Sequence, residues 1–317
     1  MSQLLPMLEH LVAEVGAGRP AALCAVVAVK GSTPQTPGAA MLVDAAGRTH
    51  GTLGGGCVEA DVRRRALELL HRGESSLLEF VLDHDYGWDD GLICGGKMTV
   101  GVATLSDAAA LPEFRDALAR ARRREPAAVP VRVAHEGRLI EYRVHLETPP
   151  TLLIAGAGHV GQAVARLAVD LDFHAVVIDD REDLLSDERF DPRVERRAGD
   201  IAQTLRDWPL DESSYVVIVT RGHQHDHQAL EAVVRRPARY IGLIGSRRKS
   251  RMILEDLRKA GVAAPQLERV HTPIGLAIDA VTVSEIAVSI AAQLVQTRRA
   301  AETPRVEGPL DVSTRRS

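Results

Sequence analysis

The sequence predicts an α/β protein with a C-terminal Rossmann-like parallel-sheet domain and a smaller N-terminal mixed α+β domain. From residue 151 to about residue 297, short apolar runs alternate with helix-length segments, which is typical of a parallel sheet covered by helices on both faces. The length of 317 residues also favours two domains. We therefore expect the following division: N-terminal domain 1–106, connecting region 107–150, Rossmann-like domain 151–300 and disordered tail 301–317.

The N-terminal domain begins with apolar residues at helical spacing over residues 4–17, ended by Gly16, Gly18 and Pro20. A helical apolar stripe also runs from Val58 to Leu70. Apolar runs of strand length predict the strands of this domain: 21–29, 38–43, 77–82 and 98–104.

In the connecting region we expect a helix at about 112–124 and a polar hairpin near 129–146. Pro149 and Pro150 then mark a domain boundary. The Rossmann-like domain is predicted to contain a last helix at 284–297 and a series of buried strands: 152–155, 175–178, 215–219, 240–244 and a further strand that ends near 270.

Composition and charge exclude several classes of protein. The net charge is -4 with acidic and basic residues interspersed, which argues against nucleic-acid binding. The N-terminus lacks the pattern of a signal peptide, and no apolar run is long enough to span a membrane. Three cysteines, Cys24, Cys57 and Cys94, do not suggest a disulfide framework, so a reducing cytoplasm is expected. Cys24 lies inside an apolar strand and is expected in the core.

A glycine pattern follows the first predicted strand of the Rossmann-like domain. Gly156, Gly158 and Gly161 have dinucleotide-binding spacing and open an apolar helix, so they predict phosphate binding; glycines kept for packing are the alternative. Asp179 ends the next strand, where a carboxylate would accept hydrogen bonds from ribose hydroxyls. His159 would face the phosphates, a metal or solvent.

Two later loops add polar residues at the same predicted sheet edge. Arg221, His223, His225 and Asp226 follow one strand, and the histidine spacing suits a loop. They could bind a polar ligand or a divalent metal, with helix capping by Asp226 as the alternative.

After the next strand, Ser246 is a natural helix N-cap. Arg247, Arg248 and Lys249 follow it and oppose the helix dipole, which makes sense if an anion binds there; a solvated turn is the alternative.

The N-terminal domain carries two glycine–cysteine segments. In one, Gly54, Gly55 and Gly56 precede Cys57 at a predicted helix N-terminus, where backbone N–H groups favour anions and thiolates. In the other, Cys94 precedes two glycines, which suits close approach by a ligand or another thiol. A small residue in a tight turn is the alternative for Cys57.

Taken together, these segments resemble the XdhC/CoxI family of accessory proteins for molybdenum hydroxylases, over about residues 8–298. The resemblance depends on segments that occur in the same order: 31–34, 51–59, 91–96, 156–161, 179–181, 220–226, 242–248 and 273–276. Gln35 departs from the family pattern, since relatives often have a basic residue there.

The resemblance implies a carrier of molybdenum cofactor, either molybdopterin or its cytidine dinucleotide form. Such a protein favours the sulfurated cofactor through a cysteine desulfurase partner and delivers it to apo xanthine dehydrogenase or a related molybdenum hydroxylase. A homodimer is also implied.

The same resemblance suggests roles for the motifs. The glycine loop with Ser246, Arg247 and Arg248 would hold the phosphate. Cys57 and Cys94 would contact the metal–sulfur end, and His223 and His225 could face its oxo or sulfido groups.

Two other functions stay open from the residues alone. The glycine loop with Asp179 is also compatible with an NAD(P)-dependent oxidoreductase. His223, His225 and Asp226 could instead serve a metal-dependent hydrolase.

Overall fold

The computed structural model describes residues 4–54, 56–82, 95–300 and 305–312. They divide into two compact units. One contains the described residues up to Thr148 together with those from Arg305 onward, and the other runs from Pro149 to residue 300.

The helices of the described residues are α1 Leu4–Gly16, α2 Gly56–Arg72, α3 Leu111–Arg122, α4 His159–Asp170, α5 Ile201–Asp207, α6 Gly222–Val233, α7 Arg247–Lys259, α8 Ala264–Glu268 and α9 Val283–Ala300. The strands are β1 Ala21–Lys30, β2 Ala40–Asp44, β3 Thr49–Gly51, β4 Ser76–Leu82, β5 Gly96–Leu105, β6 Ala127–His135, β7 Arg138–Leu146, β8 Thr151–Ala155, β9 His174–Asp179, β10 Glu195–Ala198, β11 Tyr215–Ile218, β12 Tyr240–Leu243, β13 Val270–His271 and β14 Val306–Asp311.

The first unit is built on a mostly antiparallel sheet with the order β14-β7-β6-β4-β5-β1-β2-β3. Alternate residues of β1 point to opposite faces, as the two-residue period of a strand requires. Leu23 and Ala25 pack with α1 and α3, whereas Ala22 and Cys24 pack with α2. The sheet therefore lies between helices on both faces, which explains why the first seven residues of β1 are all buried.

The predicted connecting region belongs to this unit. Helix α3 covers β6, and β6 pairs with β7 over their whole lengths. The expectation of a separate region at 107–150 was therefore wrong, because the apolar side chains of these elements complete the core of the first unit.

The expectation of a disordered tail at 301–317 was wrong for residues 306–311. Strand β14 pairs antiparallel with β7, placing Val306 opposite Val144. Its side chains are mostly exposed, as expected of an edge strand, so its sequence lacks the apolar pattern of a buried strand. Residues 301–304 and 313–317 lie outside the described residues.

The second unit confirms the predicted Rossmann-like domain. Its strands are all parallel, in the order β10-β9-β8-β11-β12-β13. Helices α5, α6 and α7 cover one face of the sheet, and α4 and α9 cover the other. The chain order reverses between β8 and β11, so the loops after these two strands flank the crevice where ligands bind in such sheets. In the described part of the chain, no helix is long and apolar enough to cross a membrane.

Candidate functional site

The glycine loop joins β8 to α4, and the structure gives a different physical explanation for the glycine at each of its three positions. At Gly156 φ is +118°, and an added Cβ would lie 2.5 Å from the Val219 carbonyl oxygen. At Gly161 a Cβ would lie 1.9 Å from the Gly156 carbonyl oxygen. A Cβ at Gly158 would meet nothing within 4 Å. Packing thus requires Gly156 and Gly161, whereas Gly158 leaves open space.

That open space lies at the N-terminus of α4. Gly158 is the N-cap residue, and no side chain caps the helix there. The first N–H groups of a helix have no partner within the helix, and the helix dipole favours negative charge at this end. His159, the first residue of α4, is exposed beside them. The structure therefore places an uncapped helix N-terminus at Gly158, and such an end can bind an anion.

Asp179 differs from the sequence-based expectation. Its carboxylate is 1% exposed and accepts hydrogen bonds from the Ala157 N–H at 2.7 Å and from the backbone and guanidinium of Arg181 at 2.9–3.0 Å. Burial alone would raise the pKa of Asp179, but these hydrogen bonds outweigh it and lower the pKa to about 2. The carboxylate holds the glycine loop in place and is not presented to a ribose.

Arg221 comes from the loop after β11 and reaches the loop after β9. Its guanidinium donates to the Asp180 carboxylate at 2.7 Å, and both side chains are partly exposed. The ion pair thus bridges residues that follow the strands on either side of β8.

His223 and His225 lie in the first turn of α6, not in a loop as predicted. Residues two apart on a helix are separated by about 200°, so their side chains point to different sides. Asp226 is fully buried, accepts from the Thr220 hydroxyl at 2.5 Å and pairs with the Lys249 ammonium.

These three residues do not form a metal site in the structure. Among the described residues, the group of three potential ligands that does come together lies in the first unit and contains neither histidine of α6. The hydrolase hypothesis based on His223, His225 and Asp226 therefore has no structural support.

Ser246 caps α7 as predicted, accepting a hydrogen bond from the Lys249 N–H at 3.3 Å. Because the Lys249 ammonium pairs with Asp226, it links the first turn of α7 to α6. Arg247 and Arg248 stay exposed at the start of α7.

A cavity of about 460 Å³ lies beside the start of α4. One face of the helix lines it with His159, Gln162 and Arg166, and Arg189 and Asp191 line it from the loop before β10. The Arg189 guanidinium also donates to the Ala157 carbonyl at 2.8 Å, which ties this wall to the glycine loop.

Sequence reasoning missed both arginines of this cavity. Arg166 follows His159 by seven residues, a spacing that places them on the same face of a helix and could have indicated it. Arg189 lies in an irregular segment about thirty residues from the loop that it contacts, so no local pattern indicated it.

In the first unit, the segment before Cys57 is fixed by Glu59. One oxygen of this carboxylate accepts from the N–H groups of Leu53 and Gly54 at 2.9 and 3.0 Å, and from the Thr52 hydroxyl. At Gly54 φ is +69°, and a Cβ would lie 2.5 Å from the Gln35 side chain. Backbone conformation and packing therefore explain why this position is glycine.

Cys57 is a free, half-buried thiol in the first turn of α2, preceded by the exposed Gly56. The structure therefore places Cys57 at a helix N-terminus, where the sequence predicted it. Gly55 and Cys94 lie outside the described residues. Cys24 is fully buried in β1, as expected.

Two family profiles match the chain. The profile described as the XdhC Rossmann domain matches residues 152–294, and the one described as the XdhC and CoxI family matches residues 15–81. A crystal structure described as a xanthine dehydrogenase from Bacillus halodurans is 24% identical, with a TM-score of 0.79 over 96% of this chain and 97% of that chain. At that identity the likeness shows the fold.

Curated relatives are similar along most of this chain. Uncharacterized protein YqeB of Escherichia coli (strain K12) is 30% identical over 88% of this chain, which spans only 44% of that relative's length. A probable xanthine dehydrogenase subunit of Bacillus subtilis (strain 168) is 26% identical over 88% of this chain and 93% of its own length. Molybdenum cofactor insertion chaperone PaoD of E. coli (strain K12) is 23% identical over 92% and 88%, respectively.

Proposed function

The chain belongs to the XdhC and CoxI family, and from this membership we propose that it binds molybdenum cofactor as cargo. In this proposal it also supports sulfuration of the cofactor with a cysteine desulfurase and inserts the product into apo xanthine dehydrogenase or a related molybdenum hydroxylase. The name of the PaoD relative, an insertion chaperone, supports this assignment.

The observation that carries the proposal is the uncapped N-terminus of α4 beside the cavity lined by Arg166 and Arg189. The cofactor carries a phosphate, or a pyrophosphate in its cytidine dinucleotide form. Backbone N–H groups, a helix dipole and guanidinium groups are the partners that such an anion needs. The cavity volume lies in the range of small-molecule sites, about 300–1,000 Å³.

The charge of the cavity wall also favours an anion. Asp191 is the acidic residue of the lining, and the Arg193 guanidinium neutralises it at 2.7 Å. Arg166 is exposed and Arg189 is held in place by two backbone carbonyls, so one cation can move towards a ligand and the other is preorganised. In this proposal, Arg247 and Arg248 add positive charge at the start of α7.

The chain's own residues would bind and orient the cargo rather than break or form its bonds. Gly158 would let the phosphate reach the backbone, and the arginines would fix its orientation. Cys57 and Cys94 are proposed to contact the metal–sulfur end, and His223 and His225 are weaker candidates for that end.

The proposal is tested by purifying the full chain from cells that make the cofactor. Bound molybdenum is measured by mass spectrometry, and the extracted pterin is oxidised and separated by chromatography, which also distinguishes the two cofactor forms. We expect about one cofactor per chain and activation of an apo-hydroxylase on mixing. A protein that carries neither molybdenum nor pterin and activates nothing would refute the function.

Two variants test the location of the site. Gly158→Val places a side chain in the open space at the helix N-terminus, and Arg166→Gln removes a cation of the cavity. We expect each to lose at least about tenfold in cofactor affinity, since a charge-assisted contact is worth about 1.5–3 kcal/mol. Arg258→Gln, at an exposed position near the end of α7, is the matched control. Full cofactor loading of both test variants would exclude the α4 site while leaving the function intact.

The cysteine assignment needs its own comparison. Cys57→Ala and Cys94→Ala proteins are compared with wild type for retained molybdenum and for activation of the hydroxylase. We expect at least one variant to retain pterin but lose activation, because the thiol acts at the metal end. If neither substitution matters, the metal end would be reassigned to His223 and His225.

A further inference from the structure

Three potential metal ligands meet in the first unit, on elements that the proposed cofactor site does not use. His10 comes from the middle of α1, Asp44 is the last residue of β2, and His50 is the central residue of β3. One ligand atom from each residue lies within 4.8 Å of those of the other two. The imidazole rings of His10 and His50 have centroids 4.0 Å apart.

The two imidazoles have unsatisfied nitrogens. The Nε2 atoms of His10 and His50 are both buried, and neither has a hydrogen-bond partner among the described residues. A buried polar atom without a partner costs about 1–3 kcal/mol, and native proteins contain few of them. Both nitrogens are therefore available to a ligand from outside the polypeptide.

Hydrogen bonds fix the orientation of the Asp44 carboxylate, the third potential ligand of the group. Its Oδ1 accepts from the N–H groups of Ala46 and Arg48, both at 2.9 Å, and its Oδ2 accepts from the Arg48 guanidinium at 2.7 Å. A carboxylate oxygen has two lone pairs, so Oδ2 retains one for a cation. Such outer hydrogen bonds are typical of side chains that orient towards a metal.

The charged side chains near the three ligands are paired with one another. Glu14 lies one helical turn beyond His10, but both of its oxygens are bound by the Arg19 guanidinium at 2.7 and 2.8 Å. The Asp44 carboxylate is likewise paired with Arg48. The charges within each of these ion pairs cancel, so the pairs add no net positive charge that would oppose an incoming dication.

We propose that His10, Asp44 and His50 form a binding site for a divalent transition-metal ion, with Zn²⁺ as the first candidate. Two imidazole nitrogens and a carboxylate oxygen are a common zinc donor set, and they leave a fourth position for water. The ligand atoms of a tetrahedral zinc ion lie about 3.3 Å apart, which small side-chain rotations would achieve. A bound ion would join α1 to the β2–β3 hairpin.

The test uses the full chain, stripped with a chelator and titrated with Zn²⁺ by calorimetry and with Co²⁺ by visible absorption. We expect one equivalent of Zn²⁺ to bind per chain. The Co²⁺-loaded protein should show the visible absorption bands of a cobalt ion with low coordination number. His10→Gln and His50→Gln should each lower affinity by at least about 100-fold, more than loss of an outer-shell contact would. His135→Gln, an exposed histidine of β6, should bind as wild type does.

A measurement on the wild-type protein covers the case in which a variant fails to fold. Of the twelve histidines in the sequence, we expect the ring-proton NMR signals of two to shift on addition of one equivalent of Zn²⁺. Absence of metal binding by wild type, or unchanged binding by folded His10→Gln and His50→Gln proteins, would overturn the proposal. In that case buried water satisfies the Nε2 atoms.

Discussion

Replacing Asp179 by asparagine tests whether this residue holds the glycine loop. The carboxylate accepts four hydrogen bonds: from the Ala157 N–H and from three N–H groups of Arg181. An amide keeps one acceptor oxygen, and its NH₂ group would face donors where the second oxygen had been. The substitution is nearly isosteric, so the loss reports hydrogen bonding and charge rather than volume.

The expected magnitude follows from the pKa of Asp179, which the folded protein lowers from 3.8 to about 2. That difference corresponds to about 2–3 kcal/mol of stability, at about 1.4 kcal/mol per pKa unit. Because the folded-state pKa is depressed, this stability is present above about pH 4 and is lost as the pH falls towards about 2. About 1 kcal/mol of it should be gone by about pH 3.

The assay is urea unfolding followed by the fluorescence of Trp208, which lies in the second unit. Trp88, the other tryptophan of the sequence, is replaced by phenylalanine to isolate this signal. We expect Asp179→Asn to lower the free energy of unfolding by about 2–4 kcal/mol near neutral pH, and the difference from wild type to shrink by about 1 kcal/mol at about pH 3.

Asp180→Asn is the matched control, since the neighbouring carboxylate is partly exposed and makes one surface ion pair, with Arg221. It should change stability by less than about 1 kcal/mol. The reasoning is refuted if Asp179→Asn is as stable as the control, or if its deficit does not depend on pH.

Three further predictions concern packing, thiol reactivity and the sheet edge. Gly161→Ala should destabilise the second unit by at least about 3 kcal/mol in urea unfolding, because its Cβ would lie 1.9 Å from a carbonyl oxygen; Gly158→Ala should leave stability nearly unchanged. In a Cys94→Ala background, a thiol reagent should label Cys57 in the native protein but Cys24 only after unfolding. The reason is that Cys24 is buried, and burial raises the pKa of its thiol to about 12. Equal labelling rates for the two thiols in the native protein would contradict this. Removing residues 305–317 should lower the melting temperature of the first unit and promote association, because it uncovers the backbone of β7, and light scattering would detect this.

The sequence was sufficient wherever a local pattern carries the information. Apolar periodicity predicted the alternation of strands and helices in the second unit, and Ser246 predicted the start of α7. Prediction from the sequence failed where an element is exposed, or where its contacts are distant in sequence, because no local pattern then indicates its structure. The exposed strand β14 has no apolar alternation, and α3, β6 and β7 showed no local sign of which core they join.

For the candidate site, the sequence determined which residue types follow the strands and that a glycine loop opens α4. Only the tertiary structure decided how those residues are used. In the folded chain, Asp179 accepts a hydrogen bond from the glycine loop and Asp226 pairs with Lys249. The Arg189 guanidinium donates to the Ala157 carbonyl. The tertiary structure also brings together His10, Asp44 and His50 from three elements. The physical reason is that periodicity is set by neighbours along the chain, whereas hydrogen bonds and ion pairs depend on which distant segments packing brings within about 3 Å.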